Sequence, residues 1–503
     1  MPRRTLLAFA LLVVLLPLAL PALPALSVHA QSPVRFEEAP CMFDLPRSAV
    51  EGKDVACGYV AVPELHANPT GPTIKLPVAV FKSPATTRAT DANIYLEGGP
   101  GASVNDTVRT FYAAFSRDFT RTRDFILFDQ RGIGKSQPSL TCPETVEQGY
   151  ADNAARASFN ERRQNDLQAL LRCRSRLVKA GVNLNAYRTS ESAADVNDIR
   201  AALGYETLNL VSVSYGTRLA LTTMRDFPRI VRSAVIDSAL PLEATEYEDT
   251  PGDYDLTLKE VFASCARSQR CTERYPNLQA DFAANYVQLN AAPRTYTRVD
   301  RATGREYAAF FNGDSMVSVL FNVLYTDTGF AYAAQLIDAL KSGTVLPDEG
   351  ERRFFDVDDA PPSTARAMHW SVQCADELPF NSYDKALANA QNVQFELREW
   401  SVQSVKYAYA VCAQWGVTPS PAKETMPVVS TLPALVMTSA NDPATPPRYG
   451  RAASGALSRS YLVAFPGIGH SAIFNGESCG VSIAYAFIVN PTVRPNTSCT
   501  RSL

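Results

Sequence analysis

Histidine and tryptophan are scarce in these 503 residues, with four of the first and three of the second. No CxxC or HExxH spacing occurs, so zinc-finger and zincin-type metal sites have no support in the pattern. GxGxxG and the P-loop lysine are also missing, which removes the usual phosphate-cradling turns. Neither sign of charge dominates, at 48 Lys plus Arg against 51 Asp plus Glu, and nothing recommends nucleic acid or an anionic membrane as a partner. We find no internal repeat. A composition of 46% hydrophobic and 20% charged residues excludes a mostly disordered, collagenous or multi-span membrane chain. No cofactor and no metal is expected.

One long apolar run is present, at the start. Arg3 and Arg4 form a basic region, Leu6 to Leu20 an apolar one, and Val28-His29-Ala30 a small-residue cleavage site. This order reads as a signal peptide over residues 1–30, with a mature chain beginning at Gln31. Pro17, Pro21 and Pro24 argue against a membrane-anchoring helix there. The expectation is a secreted or periplasmic protein without stable membrane association after cleavage. All ten cysteines follow residue 30, and an even count beside a signal peptide implies disulfides. Joining nearest neighbours in order predicts Cys41–Cys57, Cys142–Cys173, Cys265–Cys271, Cys374–Cys412 and Cys479–Cys499.

Residues 53–83 alternate apolar and polar positions as strands do. Short apolar runs then alternate with helical stretches: Ile94 to Leu96, Phe125 to Phe128, Leu208 to Val213 and Ala234 to Ile236, with Ala434 to Met437 and Tyr461 to Phe465 much later. Such runs imply buried parallel strands joined by crossover helices. Between Leu242 and about Glu424 the pattern is helical without convincing buried strands. The predicted organisation is an α/β core over 31–241 and 425–503, interrupted by a mainly helical insertion, 242–424. An insertion of this kind commonly covers the C-terminal edge of the sheet as a lid, where α/β folds bind ligands.

The run Leu208 to Val213 ends at Ser214-Tyr215-Gly216, with helical character from Thr217. A serine on a strand-to-helix elbow has an exposed hydroxyl, and the backbone N–H after it can stabilise an oxyanion. Ser214 is the candidate nucleophile, although Ser212 stands where GxSxG has its first glycine. An N-cap serine is the plain alternative. Serine needs a base, and beyond residue 30 only His66, His369 and His470 are available. The order nucleophile, acid, histidine favours His470, just past the last apolar run; His369, beside Trp370, reads as a packed histidine. Asp442 follows the run Ala434 to Met437 and is the candidate acid, with Asp237 as runner-up. An Asx turn before Pro443 is its plain alternative. Glu97-Gly98-Gly99-Pro100-Gly101 offers backbone amides without obstructing side chains, so Gly98 or Gly99 joins Tyr215 as candidate oxyanion donor.

Glu97 to Gly101, Asp129-Gln130-Arg131-Gly132-Ile133-Gly134-Lys135-Ser136 and Val213 to Gly216 resemble the proline iminopeptidase and tripeptidyl aminopeptidase family of α/β-hydrolases. Asp442-Pro443-Ala444-Thr445-Pro446 and Gly467-Ile468-Gly469-His470-Ser471 are similar to its secreted tripeptidyl aminopeptidase branch. The motifs span about residues 90–480 and are thin across the insertion. Glu97, where the family often has His, and Ser212, where it usually has Gly, are departures. The resemblance implies an α/β-hydrolase fold with an inserted helical cap, and an exopeptidase that releases N-terminal residues or short peptides through a Ser-His-Asp triad and an acyl-enzyme. It also implies peptide substrates with a free N-terminus. Asp376 and Glu377 are the acidic pair expected to hold the substrate ammonium, a solvated acidic turn being the alternative. Arg131 is expected to support its loop. Two other readings share this scaffold: a carboxylesterase acting on small esters, and a catalytically silent binding protein.

Overall fold

The computed structural model describes residues 34–87, 89–105, 118–300, 304–325, 329–341 and 364–502. The expected signal peptide lies outside the described residues.

A nine-stranded sheet organises the chain. Its strands are β1 (Phe36–Glu38), β2 (Val55–Pro63), β3 (Thr73–Phe81), β4 (Ala92–Leu96), β5 (Phe125–Phe128), β6 (Leu208–Val213), β7 (Val231–Asp237), β10 (Ala434–Ser439) and β11 (Ser460–Phe465), in the order β1-β2-β3-β5-β4-β6-β7-β10-β11. The first three pair antiparallel, β3 meets β5 antiparallel, and every pair from β5 to β11 is parallel. Because side chains alternate faces along a strand, each apolar run feeds two cores. Ile94, Leu96, Leu208, Leu210, Ala434 and Val436 pack on one face of the sheet. Tyr95, Val211, Val213, Leu435 and Met437 pack on the other. Burial of both faces is why these strands read as continuous apolar runs.

Between β7 and β10 the chain forms a third hydrophobic cluster around Tyr254, Leu258, Phe282, Leu320, Ile337 and Leu397. Its helices include Glu246–Arg267, Leu278–Ala291, Gly313–Val323, Gly329–Lys341 and Phe395–Trp415. Beside the helices of this mainly helical stretch, β8 (Arg294–Val299) and β9 (Glu306–Phe311) form an antiparallel ribbon. β8 has no buried residue, with Arg294, Tyr296 and Arg298 on one face and Thr295, Thr297 and Val299 on the other, so it carries no apolar run to betray it. The five disulfides join the cysteine pairs expected from the sequence.

Candidate active site

Parallel strands send their C-terminal ends to one edge of the sheet, and the candidate side chains Ser214, Asp442 and His470 stand just beyond three of them. Ser214 follows β6 with φ 58° and ψ −130°, and the helix Tyr215–Asp226 starts at the next residue. A non-glycine residue at positive φ costs on the order of 1–3 kcal/mol and persists only where the surroundings enforce it. Here the Ser214 N–H is tied to the Asp237 carbonyl at 3.1 Å and its carbonyl accepts the Thr217 N–H at 2.8 Å. Gly216 is required by close approach, since a Cβ there would sit 2.0 Å from the Leu96 carbonyl oxygen. Ser212 is tolerated because its buried hydroxyl donates to the Val235 carbonyl of β7 at 2.6 Å.

Asp442 and His470 meet as the spacing predicts: His470 Nδ1 donates to Asp442 Oδ2 at 2.8 Å. The Thr445 hydroxyl donates to the same oxygen at 2.6 Å and the Ser238 hydroxyl at 2.9 Å, while the Ala444 and Thr445 amides reach Oδ1 at 2.9 Å. Burial by itself raises the Asp442 carboxyl, but the His470 charge and these hydrogen bonds bring it below its ordinary value. Burial lowers His470; the charge and hydrogen bond of Asp442, helped by Asp237 and Glu246, outweigh it and hold the imidazole above its ordinary value.

The 97–101 loop lies over Ser214, with a Cβ at Gly98 coming 3.0 Å from Ser214 Cβ. The Gly98 N–H, named from sequence as one possible oxyanion donor, is already bonded to Glu97 Oε1 at 2.9 Å. The Gly99 and Tyr215 amides have no acceptor among the described residues, which leaves those two for a developing anion. Asp129, Gln130 and Arg131 work as braces. Gln130 Nε2 donates to the Glu97 carbonyl at 2.8 Å, and Asp129 accepts from Ser103, the Val104 amide and the Lys135 amide. Buried Arg131 holds Asp195 with two bonds of 2.7 Å, and also the Glu64 and Ala186 carbonyls.

Asp237, the runner-up acid, has its carboxylate filled by Ser471 Oγ and the Ala472 and Ile473 amides at 2.8–3.0 Å. It anchors the segment after His470 instead of orienting the imidazole. His369 is a packed histidine, with Nδ1 donating to the Pro100 carbonyl at 3.1 Å, and burial pushes it down to about 4. His66 joins Glu191 and Asp198. Its cluster with Asp195 and Asp198 has the reach of a metal site, but the Arg131 fork already occupies both Asp195 oxygens.

The acidic pair from sequence divides. Asp376 is buried, its oxygens filled by the Thr189 amide and hydroxyl and by the Ser420 hydroxyl. Glu377, also buried, pairs with Arg218. Its burial, with Glu246 and Asp376 nearby, pushes it up to about 8 although Arg218 opposes this. Glu246, which sequence reading missed, starts the helix Glu246–Arg267. Its Oε2 is shut from solvent with no hydrogen-bond partner, and its charge acts on both His470 and Glu377.

With this geometry stand two family matches: residues 94–291 match the α/β-hydrolase fold, and residues 400–499 match the TAP-like proteins. The chain is an α/β-hydrolase with a TAP-like C-terminal segment. This hydrolase is 24% identical to "Serine protease Hip1" of Mycobacterium tuberculosis over 479 residues, covering 92% of this chain and 90% of that one. It is 26% identical to "Tripeptidyl aminopeptidase" of Streptomyces lividans over 360 residues, covering 69% and 64% respectively. It is also 25% identical to "Carboxylesterase B" of Mycobacterium tuberculosis over 487 residues, covering 88% and 86%.

Two further groups of this hydrolase escaped sequence reading. Ser238, at φ 55°, links the loops by donating to Asp442 and accepting the Ser471 amide at 2.8 Å. The Tyr325 ring packs at a tilt against the His470 imidazole. Neither lies near a motif, and only the fold brings them there.

Proposed function

We propose that this serine hydrolase is an aminopeptidase, releasing N-terminal residues or short peptides from substrates with a free amine. Ser214 is the nucleophile, His470 the base and Asp442 the acid that fixes the imidazole tautomer. His470 takes the Ser214 proton as Oγ attacks the scissile carbonyl, then returns it to the leaving amine. The Tyr215 and Gly99 amides receive the oxyanion, and water activated by the same histidine hydrolyses the acyl-enzyme. Residues 242–424 act as the cap.

The observation that carries the aminopeptidase assignment is the unpartnered, solvent-shut Oε2 of Glu246 beside His470 and Glu377. Burial pushes the Glu246 carboxyl up although Arg218 and His470 act on it; its Oε2 has no hydrogen-bond donor, a costly state for a buried oxygen, and a substrate ammonium supplies that donor, with Glu377 as second acceptor. The serine protease and tripeptidyl aminopeptidase relatives agree with it. The carboxylesterase relative keeps an esterase reading alive. The five disulfides support a secreted or periplasmic location.

The test is hydrolysis of free-amine and N-blocked mono-, di- and tripeptidyl chromogenic amides and a short-chain ester, with Ser214→Ala as control. Serine-dependent cleavage confined to free-amine peptides is expected and counts the residues released. Ester cleavage without amide cleavage would establish the esterase instead.

A further inference from the structure

A cavity of about 540 Å³ lies among the helices Pro143–Ala155, Phe159–Lys179, Gly313–Val323, Arg366–Val372 and Phe395–Trp415. Neither Ser214 nor His470 lines it, yet two of its wall residues lead to them. His369 holds the Pro100 carbonyl of the loop over Ser214. Phe321 packs edge-on against Tyr325 with ring centroids 5.4 Å apart, and Tyr325 lies on His470.

Five charged side chains line the cavity, and four have partners. Arg366 and Asp166 form a two-pronged pair at 2.6 and 2.8 Å, joined by Tyr407. Asp152 accepts from Gln148 and Asn165, and Arg162 donates to the Ala157 carbonyl and Asn153. Arg163 differs. Its guanidinium lies against the rings of Phe159 and Tyr407, 4.7 and 5.2 Å from their centroids. Its charge acts on Asp166 and Tyr407, but it makes no close ion pair or hydrogen bond among the described residues, and its Nε is buried without a hydrogen-bond partner. A guanidinium fixed by aromatic faces keeps its planar fork of donors for an external carboxylate, with little entropy left to lose.

We infer that this cavity takes the C-terminal carboxylate of a short peptide, with Arg163 as its counter-ion, so that free-acid oligopeptides are the preferred substrates over amidated or long chains. The inference rests on the aminopeptidase reading and adds the other end of the substrate. The two ends are set by one continuous helical run, in which His369 lines the cavity and Glu377 belongs to the acidic group. His369 and Glu377 thus stand on one element, which fixes the cavity wall relative to the acidic group. A peptide with an ammonium at Glu246 and Glu377 and a carboxylate at Arg163 matches both charges.

The experiment compares free-amine alanine peptides of increasing length, each as the free acid and as the C-terminal amide. Wild type, Arg163→Met and Arg163→Lys proteins are assayed, and calorimetry measures binding to Ser214→Ala with and without Arg163→Met. At the preferred length KM of the wild type should be at least about tenfold lower for the acid than for the amide. Arg163→Met should raise the acid's KM to that of the amide and leave kcat and the amide's KM unchanged, while Arg163→Lys keeps part of the preference. One KM for acid and amide in the wild type, or an equal loss for both in Arg163→Met, overturns the inference and leaves the aminopeptidase reading standing. Arg163-dependent binding of the acid by Ser214→Ala, without wild-type cleavage of any free-amine peptide, upholds the carboxylate site and rejects the aminopeptidase.

Discussion

Tyr325 holds His470 in two ways: its carbonyl accepts the His470 N–H at 3.0 Å, and its ring lies against the imidazole with centroids 4.7 Å apart. The Asn475 side chain donates to the same Tyr325 carbonyl at 2.8 Å and also to the His470 carbonyl. Tyr325 comes from the residues between β7 and β10, whereas His470 follows β11, so the proposed base is positioned partly from the insertion.

Replacing Tyr325 by Ala keeps the backbone bond and removes the ring. Aromatic packing of this kind contributes about 0.5–1.5 kcal/mol, and kcat should fall roughly tenfold with KM within about twofold. Tyr325→Phe should behave as wild type. Steady-state kinetics on a free-amine substrate decide it, and an unchanged kcat in Tyr325→Ala would show that the ring does not position the base.

The two strand-end aspartates should separate by phenotype. Asp442→Asn should lower kcat by about 10³- to 10⁴-fold. His470 must be neutral to act as a base, so activity falls as pH drops through its raised pKa; removing the Asp442 charge should move that acid limb to lower pH. Asp237→Asn should instead destabilise the fold by about 1–3 kcal/mol, read by urea unfolding, with a much smaller loss of kcat.

At the elbow, Gly216→Ala should abolish soluble, folded protein, because the new methyl overlaps the Leu96 carbonyl oxygen. Ser212→Gly, which creates GxSxG, should fold and stay active at a cost of about 1 kcal/mol for the lost hydrogen bond to Val235. Expression, circular dichroism and the standard assay read both variants.

Glu246→Gln should raise KM for free-amine peptides by about tenfold or more, the loss of a charge-assisted bond, and Glu377→Gln should do so above pH 8, where the Glu377 carboxyl is ionised. Hydrolysis of a short-chain ester by the same variants should be unaffected. An equal loss on both substrates would place these carboxylates in support of His470 rather than in amine binding.

Alkaline pH should loosen the His66 cluster. Burial opposes the charged imidazole, but hydrogen bonds to Asp198 and Glu191 and the Asp195 charge prevail and raise it to about 9. The resulting stability is complete below the unfolded value of 6.5 and disappears as pH rises through 9. His66 is partly exposed, so on the order of 1–2 kcal/mol is at stake. Urea unfolding at pH 6 and pH 9.5 should show a drop of that size that is smaller in His66→Gln.

Much of this was legible along the chain. Apolar runs buried on two faces declared the parallel strands, and Ser214, Asp442 and His470 could be named because strand C-termini gather at one sheet edge in a known order. Neighbouring cysteines paired because short loops close easily. Local pattern carried all of these.

Choices between chemically equivalent groups were decided elsewhere. Asp237 ends β7 and Asp442 lies shortly after β10, and only the folded chain shows Ser471, Ala472 and Ile473 filling the first while His470 meets the second. Gly98 and Gly99 are alike in sequence as amide donors, and the fold shows Glu97 engaging the Gly98 amide. Asp376 has all its acceptor needs met, and Glu246, 130 positions earlier, has an oxygen with no hydrogen-bond partner. The physical reason is common to all three cases: strand and helix patterns depend on neighbours in sequence, whereas a polar group's availability depends on which distant groups have already satisfied it.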